Sequence, residues 1–177
     1  MAATFNLISS ATVSGSSTSS ITFSSIPSSY TDLCFYVSSR AVATNYNLNY
    51  LVQYNSLSTS SSYNGDFAYH VSGGSSTVLN NQTQSGGPIN IITSVADSTG
   101  IASFFSFNWS YIGNYNSTVA LQERMYVGST DASVGIYDFG HARPPSTGAI
   151  TSLTIKELSS NVFIADSTFY LYGIKNS

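Results

Sequence analysis

Apolar and polar residues alternate along much of this chain with a period of two, the pattern of a strand that has one face on a core and the other in water. In Thr31 to Ser39 the positions Leu33, Phe35 and Val37 share a face. In Tyr46 to Tyr54 the set is Leu48, Tyr50, Val52 and Tyr54, and in Ile101 to Tyr111 it is Phe105, Phe107, Trp109 and Tyr111. Each of these three sets is expected to face the core. Further strands are predicted over Thr4 to Ile8, Ser20 to Ile26, Asp66 to Val71, Ile89 to Val95, Val119 to Val127, Val134 to Phe139, Ala149 to Leu158 and Ser167 to Ile174. The run Val119 to Met125 is the one stretch of good helix formers, but it has neither a cap nor the length for a helix, and its odd-numbered apolar positions fit a strand equally well.

Turn residues separate these segments: Ser14-Gly15-Ser16, Tyr63-Asn64-Gly65-Asp66, Gly73-Gly74, Gly86-Gly87-Pro88, Ser98-Thr99-Gly100, Gly113-Asn114 and Pro144-Pro145. Asn and Gly tolerate the positive φ that tight turns require. Short strands at this density predict an all-β fold, an antiparallel β-sandwich, with a jelly roll as the preferred topology and a plain Greek key as the second. No fixed-period repeat or linker is visible, so residues 1–177 read as a single domain.

Composition changes the picture of the surface. Charged residues are 7% of the chain, against about 25% in an ordinary soluble domain, so hydroxyls and amides must wet most of the exterior. With 42% hydrophobic and 14% aromatic residues and a net charge of −3, the chain has the means to fold. The five cations, Arg40, Arg124, Arg143, Lys156 and Lys175, form no cluster that would neutralise a run of phosphates or anionic lipid heads. Nucleic acid is therefore not an expected partner. Membrane insertion is not expected either, because the longest apolar stretch, Ile101 to Ile112, carries four polar residues and is well short of the ~20 residues of a spanning helix. Met1 to Ser10 has no basic start and no apolar run follows, so no export signal is predicted.

Candidate chemistry is sparse. No Gly-x-Ser-x-Gly elbow supports a hydrolase, and no two acids are close enough in sequence to nominate a glycosidase pair. The single cysteine, in Leu33-Cys34-Phe35-Tyr36-Val37, reads as a small buried hydrophobe. His70 stands alone, and with two histidines and no Cys-x-x-Cys there is no metal-ligand spacing. Asp138, His141 and Arg143 form the one gathering of acid, imidazole and guanidinium; the blander reading is a strand that ends near Gly140 followed by a Pro-locked loop. No catalytic group, cofactor or metal is expected. Three Asn-x-Ser/Thr sequons, at Asn81, Asn108 and Asn116, match by chance in so polar a chain.

The thirteen tyrosines are the most informative functional feature, since a Tyr ring buries area while its hydroxyl stays satisfied at a half-wet contact. Tyr46, Tyr50, Tyr54, Tyr63, Tyr69, Tyr111, Tyr115, Tyr170 and Tyr172 are candidates for contacts between subunits, about half of the tyrosines being expected to pack within the chain instead. With His141 and Arg143, the residues Tyr63, Tyr69 and Tyr115 form the expected set of protein or glycan contacts.

Both ends of the chain carry a resemblance. Ile21-Thr22-Phe23-Ser24-Ser25-Ile26-Pro27-Ser28-Ser29-Tyr30-Thr31-Asp32-Leu33 resembles the opening segment of small virion-associated proteins of tailed bacteriophages. Ile150 to Ile155, Asn161-Val162-Phe163 and the terminal Leu171-Tyr172-Gly173-Ile174-Lys175 resemble the closing strands of the same family. The resemblance implies a structural protein of a virion assembled in a bacterial host, with no catalytic residues to carry over. A capsid decoration or cement protein, a homotrimer docked on the major capsid protein or another virion protein, is the first expectation. A tail-fibre or receptor-binding module for host glycan, using Tyr69, Trp109 or Tyr115, is the second. The first and last strands are expected to lie side by side in one sheet.

Overall fold

A computed structural model describes residues 4–15, 18–42, 49–56, 64–71, 77–83, 92–93, 96–97, 104–118, 121–129, 135–143, 148–157 and 162–176. Their regular structure is all strand. In chain order these are β1 (Phe5–Thr12), β2 (Ser20–Phe23), β3 (Asp32–Val42), β4 (Asn49–Tyr54), β5 (Asn64–Val71), β6 (Thr77–Thr83), β7 (Ile92–Thr93), β8 (Ala96–Asp97), β9 (Ser106–Gly113), β10 (Leu121–Ser129), β11 (Gly135–Arg143), β12 (Leu153–Glu157), β13 (Val162–Phe163) and β14 (Thr168–Ile174).

A ten-stranded sheet runs β1-β14-β3-β9-β10-β11-β5-β6, with β8 and β13 paired to the far end of β3; a four-stranded sheet runs β2-β12-β4-β7. All pairings are antiparallel except the short β3 to β8 bridge. The two sheets pack face to face over one apolar cluster. The large sheet contributes Leu33, Phe35, Val37, Ile112, Phe169 and Leu171, and the small one contributes Phe23, Val52, Tyr54, Leu153 and Ile155. This is the architecture of an antiparallel β-sandwich.

The two ends of the chain do pair. β1 lies against β14 from Phe5 opposite Ile174 to Thr12 opposite Thr168, with a bulge at Ile8. The extra residue turns Ile8 toward the core, against which Ile8 and Ala11 pack.

The segments that carry the resemblance also interlock. The Tyr30 ring lies flat against Gly173: a Cβ there would sit 2.6 Å from Tyr30 Cδ1 and closer still to two other ring carbons. Only glycine leaves room for the ring. The Thr31 amide donates to the Ile174 carbonyl at 2.8 Å, and Lys175 Nζ stands 5.8 Å from the Tyr30 ring centroid. The closing Leu-Tyr-Gly-Ile-Lys strand and the Ser-Tyr-Thr-Asp-Leu entry to β3 are therefore one packed unit.

Four expectations need correction. Asn64, Gly65 and Asp66, read as a turn, form the start of β5, because they pair with both β11 and β6. β11 does not stop near Gly140 but continues to Arg143, since β5 supplies ladder partners as far as Asn64. β6 was not foreseen, as its polar stretch Asn80-Asn81-Gln82-Thr83 shows no alternation. The fourth correction concerns β9.

Candidate functional site

The large side chains of β9 point away from the core. Ser106, Asn108, Ser110 and Ile112 are the buried positions of this strand, whereas Phe107 is 40% exposed and Trp109 and Tyr111 are half-buried on the opposite side. The cause is the neighbour. β9 is paired to β3 with Leu33 opposite Ile112, Phe35 opposite Ser110 and Val37 opposite Asn108. Directly paired residues share a face, so committing Leu33, Phe35 and Val37 to the core, together with Phe169 and Leu171 on the far side of β3, commits the small residues of β9 inward as well. The inward serines have partners: Ser106 Oγ donates to the Ser39 carbonyl at 2.9 Å. Asn108 Nδ2 is the one buried polar side-chain atom without a hydrogen bond among the described residues.

The outward face of β14, β3 and β9 is consequently an aromatic surface. The register sets Tyr170, Tyr36 and Trp109 in one row and Tyr172, Cys34 and Tyr111 in the next. Tyr36 meets Tyr172 edge-on at 5.7 Å between centroids and 88° between planes, and meets Phe107 at 5.9 Å and 36°. Trp109 and Tyr111 are 6.3 Å apart at 37°. On the edge strand, Leu7 pairs with Tyr172 and continues the surface, as does Phe5. Phe5, Leu7, Phe107 and Tyr170 are among the most exposed large hydrophobic residues of the described chain.

Electrostatics on this face are muted. Its only described acid, Asp32, is buried and accepts hydrogen bonds from Tyr111 Oη at 2.5 Å, the Asn114 amide at 2.7 Å and Asn176 Nδ2. Burial raises the Tyr111 hydroxyl above its ordinary value, and its bond to Asp32 adds to this. Burial likewise pushes the Cys34 thiol up to about 11, against hydrogen bonds with Tyr36 and Trp109 that pull the other way. The hydroxyl of Tyr36 is raised by burial first and by Cys34 second. Cys34 is fully buried beneath these rings. A thiol in that state is a poor nucleophile, as the sequence reading of a small buried hydrophobe requires.

The residues singled out from sequence do not converge on one site. Tyr115 is a correction: it is fully buried in the core, its hydroxyl donating to the Pro27 carbonyl, and it offers nothing to a partner. Its ring is held inward by the turn at Asn114, which has φ 53°, and by the bond from the Ile150 amide to the Tyr115 carbonyl at 2.9 Å. Tyr54 is likewise a core residue at 1% exposure. Tyr63 and Tyr46 lie outside the described residues. Tyr50 falls on β4 opposite Glu157 and Ile92.

Tyr69 falls on β5, opposite Asp138 and Val78; His141 falls on β11, opposite Glu123 and Asp66; Arg143 stands at the end of β11 opposite Asn64. Positions 138 and 141 are three apart in a strand and so lie on opposite faces of the sheet, which separates the acid from the imidazole that proximity in sequence had joined. Tyr111, Tyr170 and Tyr172 do meet on the outward face, joined by Tyr36, Phe107 and Trp109, which had not been counted as contact residues between subunits. The available signal for those three was β3 itself: once Leu33, Phe35 and Val37 are placed inward, the even positions of β3 and the odd positions of β9 follow outward.

Among the described residues no group of three or more His, Cys, Asp or Glu is placed to hold a metal ion, and no helix is long and apolar enough to cross a membrane. Fold and surface together define the class: an all-β sandwich that presents an aromatic sheet face of low charge. No family model matches the chain, no curated protein matches it, and no solved structure matches it.

Proposed function

We propose that this chain is a non-enzymatic structural protein of a tailed-bacteriophage virion, a capsid decoration or cement protein that oligomerises, as a homotrimer, and binds the assembled shell or another virion protein. The observation that carries the reading is the outward face of β14, β3 and β9, where a low-charge sandwich displays Tyr, Trp and Phe instead of the polar residues a solvated sheet face normally carries. Such a surface suits permanent contacts that are insensitive to salt. The resemblance of both chain ends to virion-associated proteins supports the same reading, and within the sandwich class the jelly roll is the proposed topology, ahead of a Greek key.

The test is to label the protein in intact particles and to measure its binding to emptied capsids. Label distributed over the head, with binding that an unrelated sandwich does not show, is the expected result; capsids that take up neither protein better than the other end the proposal. The second reading, a receptor-binding module, rests on Trp109 and Tyr111, whose half-exposed rings are of the kind that stack on sugars. Label at the tail tip together with glycan binding would replace the first reading by the second.

A further inference from the structure

From the outward face of β1, β14, β3 and β9 we infer that its occupant is a second copy of this chain: the aromatic surface is the homo-oligomer interface. The inference rests on reading the chain as an assembling structural protein and names which surface does the assembling. Three observations carry it.

The first is size. Phe5 and Leu7 are 51% and 55% exposed, Phe107 and Tyr170 are 40% and 36% exposed, and Tyr36, Trp109, Tyr111 and Tyr172 are half-buried around them. With roughly 200 Å² per side chain of this size, they leave roughly 600 Å² of apolar surface in water, at the top of the range for a monomer's largest patch and near the ~800 Å² per partner of a stable interface. Ser10, Thr12, Ser38 and Thr168 lie on the same face by register and supply a hydroxyl rim.

The second is charge. On β1, β14, β3 and β9 two described charged residues fall on this side by register, Asp32, buried with three donors, and Arg40, 9% exposed at the far end of β3, while Glu123 of β10 stands opposite Tyr111 at the border. The chain has no charged side chain at all from Met1 to Thr31. In a contact between copies, charges are brought near their own equivalents, and like charges so placed cost several kcal/mol. With Asp32 and Arg40 both buried, that cost is small over these four strands. A different protein partner gains specificity from exposed complementary charge, of which these four strands offer little.

The third is ring geometry. Tyr36 and Tyr172 stand at 88°, and the Trp109 and Tyr111 planes are tilted by 37°. These rings interlock and present edges, ridges and hydroxyls rather than one flat platform for a sugar chain. Ridged sheet faces of low charge interdigitate their side chains where they meet, as the same face of three copies does around a three-fold axis. This chain supplies such a face to its own copies.

Trp109 is the only tryptophan of the chain and stands on β9 beside Tyr36, within the aromatic surface, so it reports directly on occupancy. The experiment follows the purified full-length chain, without any virion component, by sedimentation equilibrium and by Trp109 emission during dilution. The expected result is reversible association, with emission moving to longer wavelength as the complex dissociates, and little change between low and high salt.

The double variant F107S/Y170S is expected to weaken association by at least ~30-fold, the loss of one strong contact, while its circular dichroism stays that of the parent. Y170F retains association. T154A, which removes the Thr22 to Thr154 hydroxyl pair on the other sheet, leaves association unchanged. Dilution of the parent alone tests the inference should the double variant not fold.

A parent chain that is monomeric at ~100 µM, a concentration at which a micromolar interface is saturated, overturns the inference, as does association that persists undiminished in a folded double variant. A monomeric chain whose Trp109 emission shifts with a neutral polysaccharide overturns it in favour of a sugar-binding face. A monomeric chain that still binds capsids overturns the homomeric interface and leaves the virion role standing. Self-association without capsid binding does the reverse.

Discussion

Strands β3 and β9 run side by side and antiparallel, and they place their large residues on different faces. β3 directs Leu33, Phe35 and Val37 into the sandwich and leaves Tyr36 half-buried outside. β9 directs Ser106, Asn108 and Ser110 inward and carries Phe107, Trp109 and Tyr111 outside. Both alternate cleanly, and both contain aromatic residues. Alternation therefore reports that a strand has two unlike faces, while the choice of face belongs to the sheet, because paired residues cannot point to different sides. The inward poverty of β9 is tolerated because its neighbours, and Ile112 at its own end, fill the core.

The comparison is most directly broken by truncating matched residues. Phe35→Ala is expected to cost about 3–5 kcal/mol in urea unfolding, as full burial of an aromatic ring dictates. Phe107→Ala, at equal change in size but 40% exposed, is expected to cost under ~1 kcal/mol when measured on dissociated chains. Equal losses at the two sites would mean that β9 faces the other way.

A second substitution tests the opposite neighbour of β3. Gly173→Ala on β14 drives a methyl into the Tyr30 ring, an overpacking expected to cost about 2–3 kcal/mol. Adding Tyr30→Ser should recover part of the loss; no recovery would show that the ring is not what the glycine accommodates.

The rings over Cys34 make a prediction with a sign. Its folded thiol is raised from 9.0 to about 11, so below pH 9 both folded and unfolded thiols are protonated and stability is at its full value. Between pH 9 and about 11 the unfolded chain loses the proton first, and stability falls by on the order of 2 kcal/mol. Cys34→Ala should flatten that limb of the pH profile. At pH 8 a thiol reagent should label the native chain only at its rate of opening, and immediate labelling would place Cys34 outside the aromatic cover.

The smallest effect concerns the inward side of β9. Asn108 is 1% exposed with an unpaired Nδ2, and Leu has nearly its shape. Asn108→Leu is expected to raise stability by about 1 kcal/mol, read as a higher urea midpoint at unchanged slope. A loss instead would locate a hydrogen-bonding partner for the amide in solution.

Much of this fold is legible in the residues. The strands at Thr31 to Ser39 and Ser167 to Ile174, the described part of Tyr46 to Tyr54 at Asn49 to Tyr54, and the turn at Gly113-Asn114 follow from alternation and from Asn114 at a positive φ, and pairing of the chain ends follows from two terminal strand patterns. Less of the candidate surface could be read. Tyr115 follows a turn residue and looks like a loop contact, yet it points inward because Pro27 and Ile150 close over it. Asp138 and His141 look like a pair, and an uninterrupted strand through Arg143 parts them.

By itself the sequence determined an all-β sandwich: its two-residue period, its turn residues and its scarcity of charge are local or summed properties that need no knowledge of neighbours. Only the tertiary structure decided that β3 lies between β14 and β9, that Tyr30 closes over Gly173, and that the aromatic side of β9 faces out. These depend on which distant segments pair, and a register shift of one residue reverses every face. The alternation in Ile101 to Tyr111 was legible from the start; its direction was set by Leu33, Phe35 and Val37 on the strand beside it.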